Sequence, residues 1–198
     1  MVPRATTLFF LGRSGSGKDT QVEFLLKHPD FVGAVETNTG GFMRELAKEE
    51  TVLGKKVGQV LESGGLMPGW LSFSGWFSYL RNKVRSDEIL ISSGSPRRME
   101  EALLEDEASE FLGRPKPVIV HINISPEEAQ KRLLLRKRND DSEASIKNRM
   151  AWFETEVLPI VDYYSKEGRV ISVDGEGTRE EVFARLLLKI EEHFSKKV

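Results

Sequence analysis

The stretch from Thr6 to Gln21, Thr6-Thr7-Leu8-Phe9-Phe10-Leu11-Gly12-Arg13-Ser14-Gly15-Ser16-Gly17-Lys18-Asp19-Thr20-Gln21, constrains the fold more than any other. A short apolar run rich in β-formers stops at Gly12. A Gly/Ser loop then ends at Gly17-Lys18, and Val22, Leu25 and Leu26 recur with helical spacing. The order is strand, loop, helix. The spacing Gly12-x-x-x-x-Gly17-Lys18 is that of a phosphate loop: small residues let backbone N–H groups surround an anion, the helix N-terminus adds positive potential, and Lys18 reaches the outer phosphates. A nucleoside triphosphate site is therefore expected. A dinucleotide fingerprint fits less well, because Thr20 stands where its third glycine belongs. Phosphate loops usually place Ser or Thr directly after the lysine to hold Mg²⁺, whereas this chain has Asp19 there and Thr20 one place later.

The rest of the chain decides what surrounds that loop. With 198 residues, 39% of them hydrophobic, it can bury a substantial core, and one domain with an inserted subdomain is expected. Its 29 basic and 31 acidic residues leave a formal charge of -2, which gives no reason to expect nucleic acid or an anionic membrane as a partner. The absence of cysteine excludes disulfides, thiolate catalysis and Cys-based zinc sites. His28, His121 and His193 show no metal-ligand spacing and read as structural or exposed. The run Leu8 to Leu11 is too short for a signal segment, and no apolar segment approaches the ~18 residues of a membrane span. A monomeric, cytoplasmic protein is expected.

Gly33 to Thr37 reads as a short strand, and Asn38 as the cap of a helix whose first turn holds Gly40 and Gly41. Glycines there cost about 1 kcal/mol each relative to alanine, which points either to a ligand or backbone approaching closely or to a flexible loop. A helix from Gly54 to Leu66 stops at Gly64-Gly65, and Pro68 opens another whose Trp70, Phe73, Trp76, Phe77 and Leu80 read as core packing. Asp87 to Gly94 reads as a buried strand. Arg97 and Arg98 follow it, where parallel sheets gather ligands. After a helix from Met99 to Leu112 and a strand from Pro117 to Ile124, Ser125-Pro126-Glu127-Glu128 forms a capping box. The helix it opens carries Arg132 and Arg136 on one face and runs into the charged break Lys137 to Asp141. A long helix holding Arg149 ends near Pro159, Val170 to Val173 is the last strand, and Thr178-x-x-Glu181 caps a final helix. The alternation specifies an α/β chain, a doubly wound parallel sheet with helices on both faces.

Five landmarks in order resemble the adenylate kinase family of nucleoside monophosphate kinases along nearly the whole chain. Gly12 to Gln21 resembles G-x-P-G-S-G-K-G-T-Q, Asn38 to Arg44 resembles S-T-G-D-L-L-R, and Ser93 to Arg97 resembles D-G-F-P-R. Arg132-x-x-x-Arg136 resembles the arginine pair that opens the lid. Arg138-Asn139-Asp140-Asp141 with Arg149, Pro159 and Tyr163-Tyr164 resembles R-x-D-D...R...P...Y-Y. The resemblance implies a phosphate-loop kinase domain with a helical monophosphate-binding insertion at residues 38–67 and a short lid at 136–142. It implies ATP and Mg²⁺ as cofactors and a nucleoside monophosphate, AMP foremost, as substrate. By position, Gly12, Arg13, Ser14, Gly15, Ser16, Gly17, Lys18, Asp19 and Thr20 would hold the ATP phosphates, with Arg132 against the donor base. Thr39, Gly40, Arg44, Gly94, Arg97 and Glu101 would hold the acceptor. Lys18, Arg97, Arg132, Arg136, Arg138 and Arg149 form the catalytic set, which suits phosphoryl transfer, a reaction of positioning and charge neutralisation.

Four departures bear on the chemistry. Ser93 replaces the aspartate of D-G-F-P-R, which helps order Mg²⁺, while Asp19 replaces a loop glycine. A carboxylate 4 Å from a phosphate charge is repelled by about 4 kcal/mol at an effective dielectric of 20, so Asp19 either meets the donor through a metal or turns away as a first-turn helix acid. Gly41 stands at an aspartate position. Glu101 stands where many adenylate kinases have a base-reading glutamine, and an ionised glutamate only accepts hydrogen bonds. Two rivals remain: a phosphate-loop kinase for a small alcohol, and a catalytically weakened nucleotide-binding regulator.

Overall fold

The computed structural model describes residues 2–136 and 142–195. Five strands, β1 (Thr7–Leu11), β2 (Val35–Asn38), β3 (Leu90–Ser93), β4 (Val118–Asn123) and β5 (Val170–Asp174), form one parallel sheet in the order β2-β3-β1-β4-β5. The register runs Thr7↔Leu90 against β3 and Leu8↔Val118 against β4, which leaves β1 in the centre. Alternation along β1 supplies two cores at once. Leu8 and Phe10 join an apolar cluster on one face, with Val22 and Leu25 of α1 (Lys18–Lys27) and Val182, Leu186, Ile190 and Phe194 of α9 (Arg179–Ser195). Phe9 and Leu11 join the cluster on the other face. There they meet Trp76 and Leu80 of α4 (Gly69–Lys83), Ala102 of α5 (Met99–Phe111), and Ile160 and Tyr164 of α8 (Leu158–Lys166). The expected α/β class, with helices on both faces, is what the chain adopts.

A third, smaller cluster joins Met43 of α2 (Thr39–Leu46), Val57 of α3 (Val52–Glu62), Met67 and Leu71, so the two short helices after β2 carry a core of their own. The remaining helices are α6 (Pro126–Arg136) and α7 (Glu143–Trp152).

The capping expectations hold in part. Thr178 Oγ1 accepts from the Glu181 N–H and Glu181 returns the bond to the Thr178 N–H, a complete capping box. At α6, Ser125 Oγ accepts from the Glu128 N–H, but Glu128 turns to Arg132 instead, and Glu176 takes the Ser125 N–H. The arginine offers charge-assisted bonding that the backbone amide does not. The helix with Arg149 does not end near Pro159. It passes through a widened turn, Phe153–Val157, in which the Leu158 N–H bonds to Phe153 O, and continues as α8 with Pro159 in its first turn, where a missing N–H costs least. Of the aromatic stripe on α4, Trp76 is buried but Trp70 and Phe77 are 64% and 50% exposed, because the stripe is wider than the face that meets the sheet.

A buried tie closes the far side of the second core. Arg169 grips both oxygens of Asp106, at 2.9 and 2.7 Å, and lies 4.2 Å from the Tyr164 ring. The hydroxyls of Tyr163 and Tyr164 also reach Asp106, at 3.2 Å each. The tyrosine pair is thus part of the scaffold.

Candidate active site

Two open clefts lie beyond the carboxyl ends of the strands and meet at the loop after β1. The first is lined by Ser14, Lys18, Asp19, Thr39, Gly40, Arg44, Ser93, Gly94, Arg97, Arg136 and Arg149, together with Met43, Leu61, Met67, Ser72 and Trp152. The second is lined by Gly15, Ser16, Gly17, Lys18, Asp19, Thr20, Arg132 and Arg136, together with Leu135, Gly175, Gly177, Thr178 and Arg179. Lys18, Asp19 and Arg136 belong to both.

Each wall has a local reason for its form. Gly17 caps α1 in the left-handed region at φ 83°, which turns the chain so that Lys18 opens the helix at the junction of the clefts. The buried Ser16 Oγ has no hydrogen-bond partner among the described residues, and a bound phosphate oxygen would supply one. Asn38 caps α2 as expected, its Oδ1 accepting from the Gly41 N–H at 2.7 Å. A side chain at Gly41 would begin 3.2 Å from that Asn38 cap, and one at Gly40 would begin 3.5 Å from Arg44 Nη1. The nearest neighbours of the two glycines are thus side chains, the Asn38 cap and Arg44, rather than another backbone, and the approach at Gly40 is an ordinary contact. Gly94 has φ 90°, and a Cβ there would lie 2.8 Å from Thr39 Oγ1, so the end of β3 and the start of α2 can touch only without a side chain between them.

The charges follow from this packing. Burial pushes the Arg97 guanidinium below its usual range, opposed by Glu101 and Asp19 and reinforced by Arg149 and Arg44, which places all five groups in one field. Arg132 is pinned by Glu128 at 2.7 Å and by Gly175 O at 3.1 Å, so it presents a fixed planar face to the second cleft. Arg97 also lies 5.5 Å from the Trp152 ring, and Trp152 donates to Gly64 O at 2.9 Å.

Three expected residues stand elsewhere. Arg13 turns its side chain behind the loop, to Ile124 O, Asn123 and Glu154, and lines neither cleft. Glu101 is wholly buried and also lines neither. Its Oε2 accepts from the Arg97 N–H at 2.9 Å and from Ser95 Oγ, which bonds Glu105 as well. Burial lifts the Glu101 carboxyl to about 7, and lifts that of Glu105 well above its usual value too. A serine with a hydroxyl to share draws both acids inward, away from the cleft. Gly12 lines neither cleft but a smaller cavity beside the first, with Ser14, Lys18, Arg97 and Trp152. Arg138 and lid residues 137–141 lie outside the described residues. The sequence reading missed Trp152 and Asn148, although both lie within one helical turn of Arg149. Asn148 Nδ2 donates to Ser63 O at 2.8 Å, so α7 grips the end of α3 twice.

Among the described residues no group of three His, Cys, Asp or Glu is placed to hold a metal, and no helix is long and apolar enough to cross a membrane. A Mg²⁺ ion carried on triphosphate oxygens and waters needs no such group. One carboxylate at the meeting point of the clefts, Asp19, fits it.

Comparison with known proteins agrees with this geometry. The family model described as adenylate kinase matches residues 10–169. The adenylate kinase of Parabacteroides distasonis is 33% identical over 88% of this chain and 92% of its own. The adenylate kinase of Thermus thermophilus is 31% identical over 90% and 94%, and adenylate kinase 1 of a Nostoc species is 30% identical over 89% and 94%. With the sheet order, the two joined clefts and these likenesses together, the chain belongs to the adenylate kinase family and is a nucleoside monophosphate kinase.

Proposed function

We propose that the chain transfers the terminal phosphoryl group of ATP directly to AMP, giving two ADP, with Mg²⁺ as the resident ion. The observation that carries this reading is the sharing of Lys18, Asp19 and Arg136 by two clefts. A donor in the second cleft and an acceptor in the first would point their phosphates at the same three side chains. In-line transfer needs that arrangement and little covalent help from the protein.

The roles follow from the walls. The loop from Gly12 to Thr20 and Lys18 would hold the donor phosphates, and Arg132 would lie against the donor base. Arg44 and Arg97 would take the acceptor phosphate. Arg136 and Arg149, with Arg138, would neutralise charge on the group in transit. Mg²⁺, when bound, would draw charge from the donor phosphates, with Asp19 as its one protein ligand, opposite Ser93. The acceptor base would enter the slot of Met43, Leu61, Met67 and Ser72, with no charged reader. AMP is preferred because the relatives are named as adenylate kinases. Two arginines on the acceptor side argue against a simple alcohol acceptor, which would bring no phosphate for them to bind.

³¹P NMR of the protein with ATP and Mg²⁺, with AMP, GMP, CMP, UMP or dTMP in separate tubes, tests the reading. ADP signals growing fastest with AMP are expected. Transfer to another monophosphate alone would move the assignment to that base. Binding of ATP with no transfer in any tube would leave a regulator with Ser93 uncompensated.

A further inference from the structure

Arg13 is the one cationic side chain inside the loop that the clefts leave unused. It sits between Gly12 and Ser14, yet its guanidinium points away from both clefts and is only 12% exposed. Nη1 donates to Ile124 O at 3.1 Å and Asn123 Oδ1 at 3.4 Å, Nη2 meets Glu154 Oε1 at 2.5 Å, and the group lies 4.7 Å from the Phe153 ring centroid. One planar fork thus joins the phosphate loop, the end of β4 and the widened turn after α7. Phe153 is buried, and His121 of β4 stacks on it with centroids 6.4 Å apart. Burial, and then Arg13 itself, lowers the proton affinity of His121, so this neighbour does not oppose the guanidinium with a second charge.

The other end of the connection is Arg149, four residues before Phe153 and therefore on the same side of the helix. Widened turns of this kind are rare and are frequently found at functional sites. Here the widened turn presents Phe153 and Glu154 to one guanidinium, face and carboxylate together.

We propose that Arg13 and Glu154 form a positioning clasp, which fixes the phosphate loop against the helix that carries Arg149 so that Lys18 and Arg149 keep the spacing phosphoryl transfer needs. The inference rests on the transfer reading above. The Arg13 side chain acts through the loop and the helix and touches no substrate. Misplacement of reacting groups by 1 Å can cost about a hundredfold in rate, whereas a partly exposed ion pair contributes only about 0–1 kcal/mol to folding. The clasp should therefore register in turnover far more than in stability.

Arg13→Ala, Glu154→Ala, their double variant and Arg13→Lys test it through kcat, both KM values, melting temperature and amide exchange of residues 12–17. Each single alanine variant is expected to lose about tenfold in kcat with both KM values nearly constant, and the double to lose no more, because a broken clasp cannot be broken twice. Arg13→Lys should fall with them, since an ammonium cannot serve the three oxygen acceptors and the ring at once. Exchange in the loop should rise in Glu154→Ala. Wild-type kcat in Glu154→Ala, multiplying losses, or a raised ATP KM at constant kcat would overturn the clasp. Unchanged loop exchange would overturn it whatever the activity, which separates its failure from failure of the transfer reading.

Discussion

At the residue scale, the proposed Mg²⁺ site turns on Asp19. It lines both clefts, while Ser93 lines the first, at the aspartate position of the D-G-F-P-R pattern that Ser93 to Arg97 resembles. Asp19→Gly is expected to raise the Mg²⁺ concentration needed for half-maximal rate about tenfold, which magnesium titrations at fixed ATP would read. An unchanged requirement would make Asp19 an ordinary first-turn acid. Glu101 gives a second residue-scale prediction. Its carboxyl holds its proton up to about 7 in the fold, whereas an unfolded glutamate loses it near 4.3. Between those values the folded state binds more protons, so this contribution is complete below the unfolded value and is lost as the pH rises toward 7. Glu101→Gln should flatten that decline, by on the order of 3 kcal/mol across the window, in denaturant unfolding followed from pH 4 to 8. Glu105 is displaced in the same direction, so the difference between variant and wild type carries the result. Most of the cleft lining was legible from the sequence, because the loop and its arginines have fixed spacings. Glu101 and Arg13 were not, because Glu101 turns inward to Ser95 and the Arg97 N–H and Arg13 turns to Glu154, and motif spacing does not show which way a side chain turns.

At the scale of elements, the grip of α7 on α3 controls the first cleft. Gly64, at φ 67°, has no room for a side chain, since a Cβ would begin 2.4 Å from Ser145 O, and its own carbonyl accepts from Trp152. Gly64→Ala is expected to raise the acceptor KM at least tenfold and leave the ATP KM within about twofold, because only the acceptor side must open to make room. Trp152→Phe, which removes the N–H but keeps a ring for Arg97, should shift the acceptor KM the same way by less. Equal changes in both KM values would place the effect in the core instead. Strand existence and order of appearance were readable from apolar runs between glycines. The widened turn at Phe153–Val157 was not, because a proline in a helical pattern normally reads as an end. What carries the helix through is an i→i+5 bond that skips a residue, together with Phe153 and Val157 in the core.

For the whole molecule, the sheet holds the two clefts in one frame, and its far end depends on Arg169 and Asp106. Cutting that pair by Arg169→Ala leaves a buried carboxylate facing two tyrosines, and is expected to cost about 3–5 kcal/mol in denaturant unfolding with kcat little changed. A loss under 1 kcal/mol would show that the tie is not structural. The sequence carried the architecture because helix and strand periodicities alternate without a break. It could not show that the clefts share a floor, since Lys18, Asp19 and Arg136 come together only when α6 packs against the loop that joins β1 to α1, where Gly15 meets Ala129 and Leu133. That shared floor is the central claim, and a dinucleoside pentaphosphate carrying two adenosines tests it most directly. By calorimetry one molecule should bind per chain and displace ATP and AMP together, with Lys18→Ala and Arg136→Ala each weakening it. Displacement of one nucleotide alone, or two molecules bound per chain, would mean that the clefts are separate and the account is wrong.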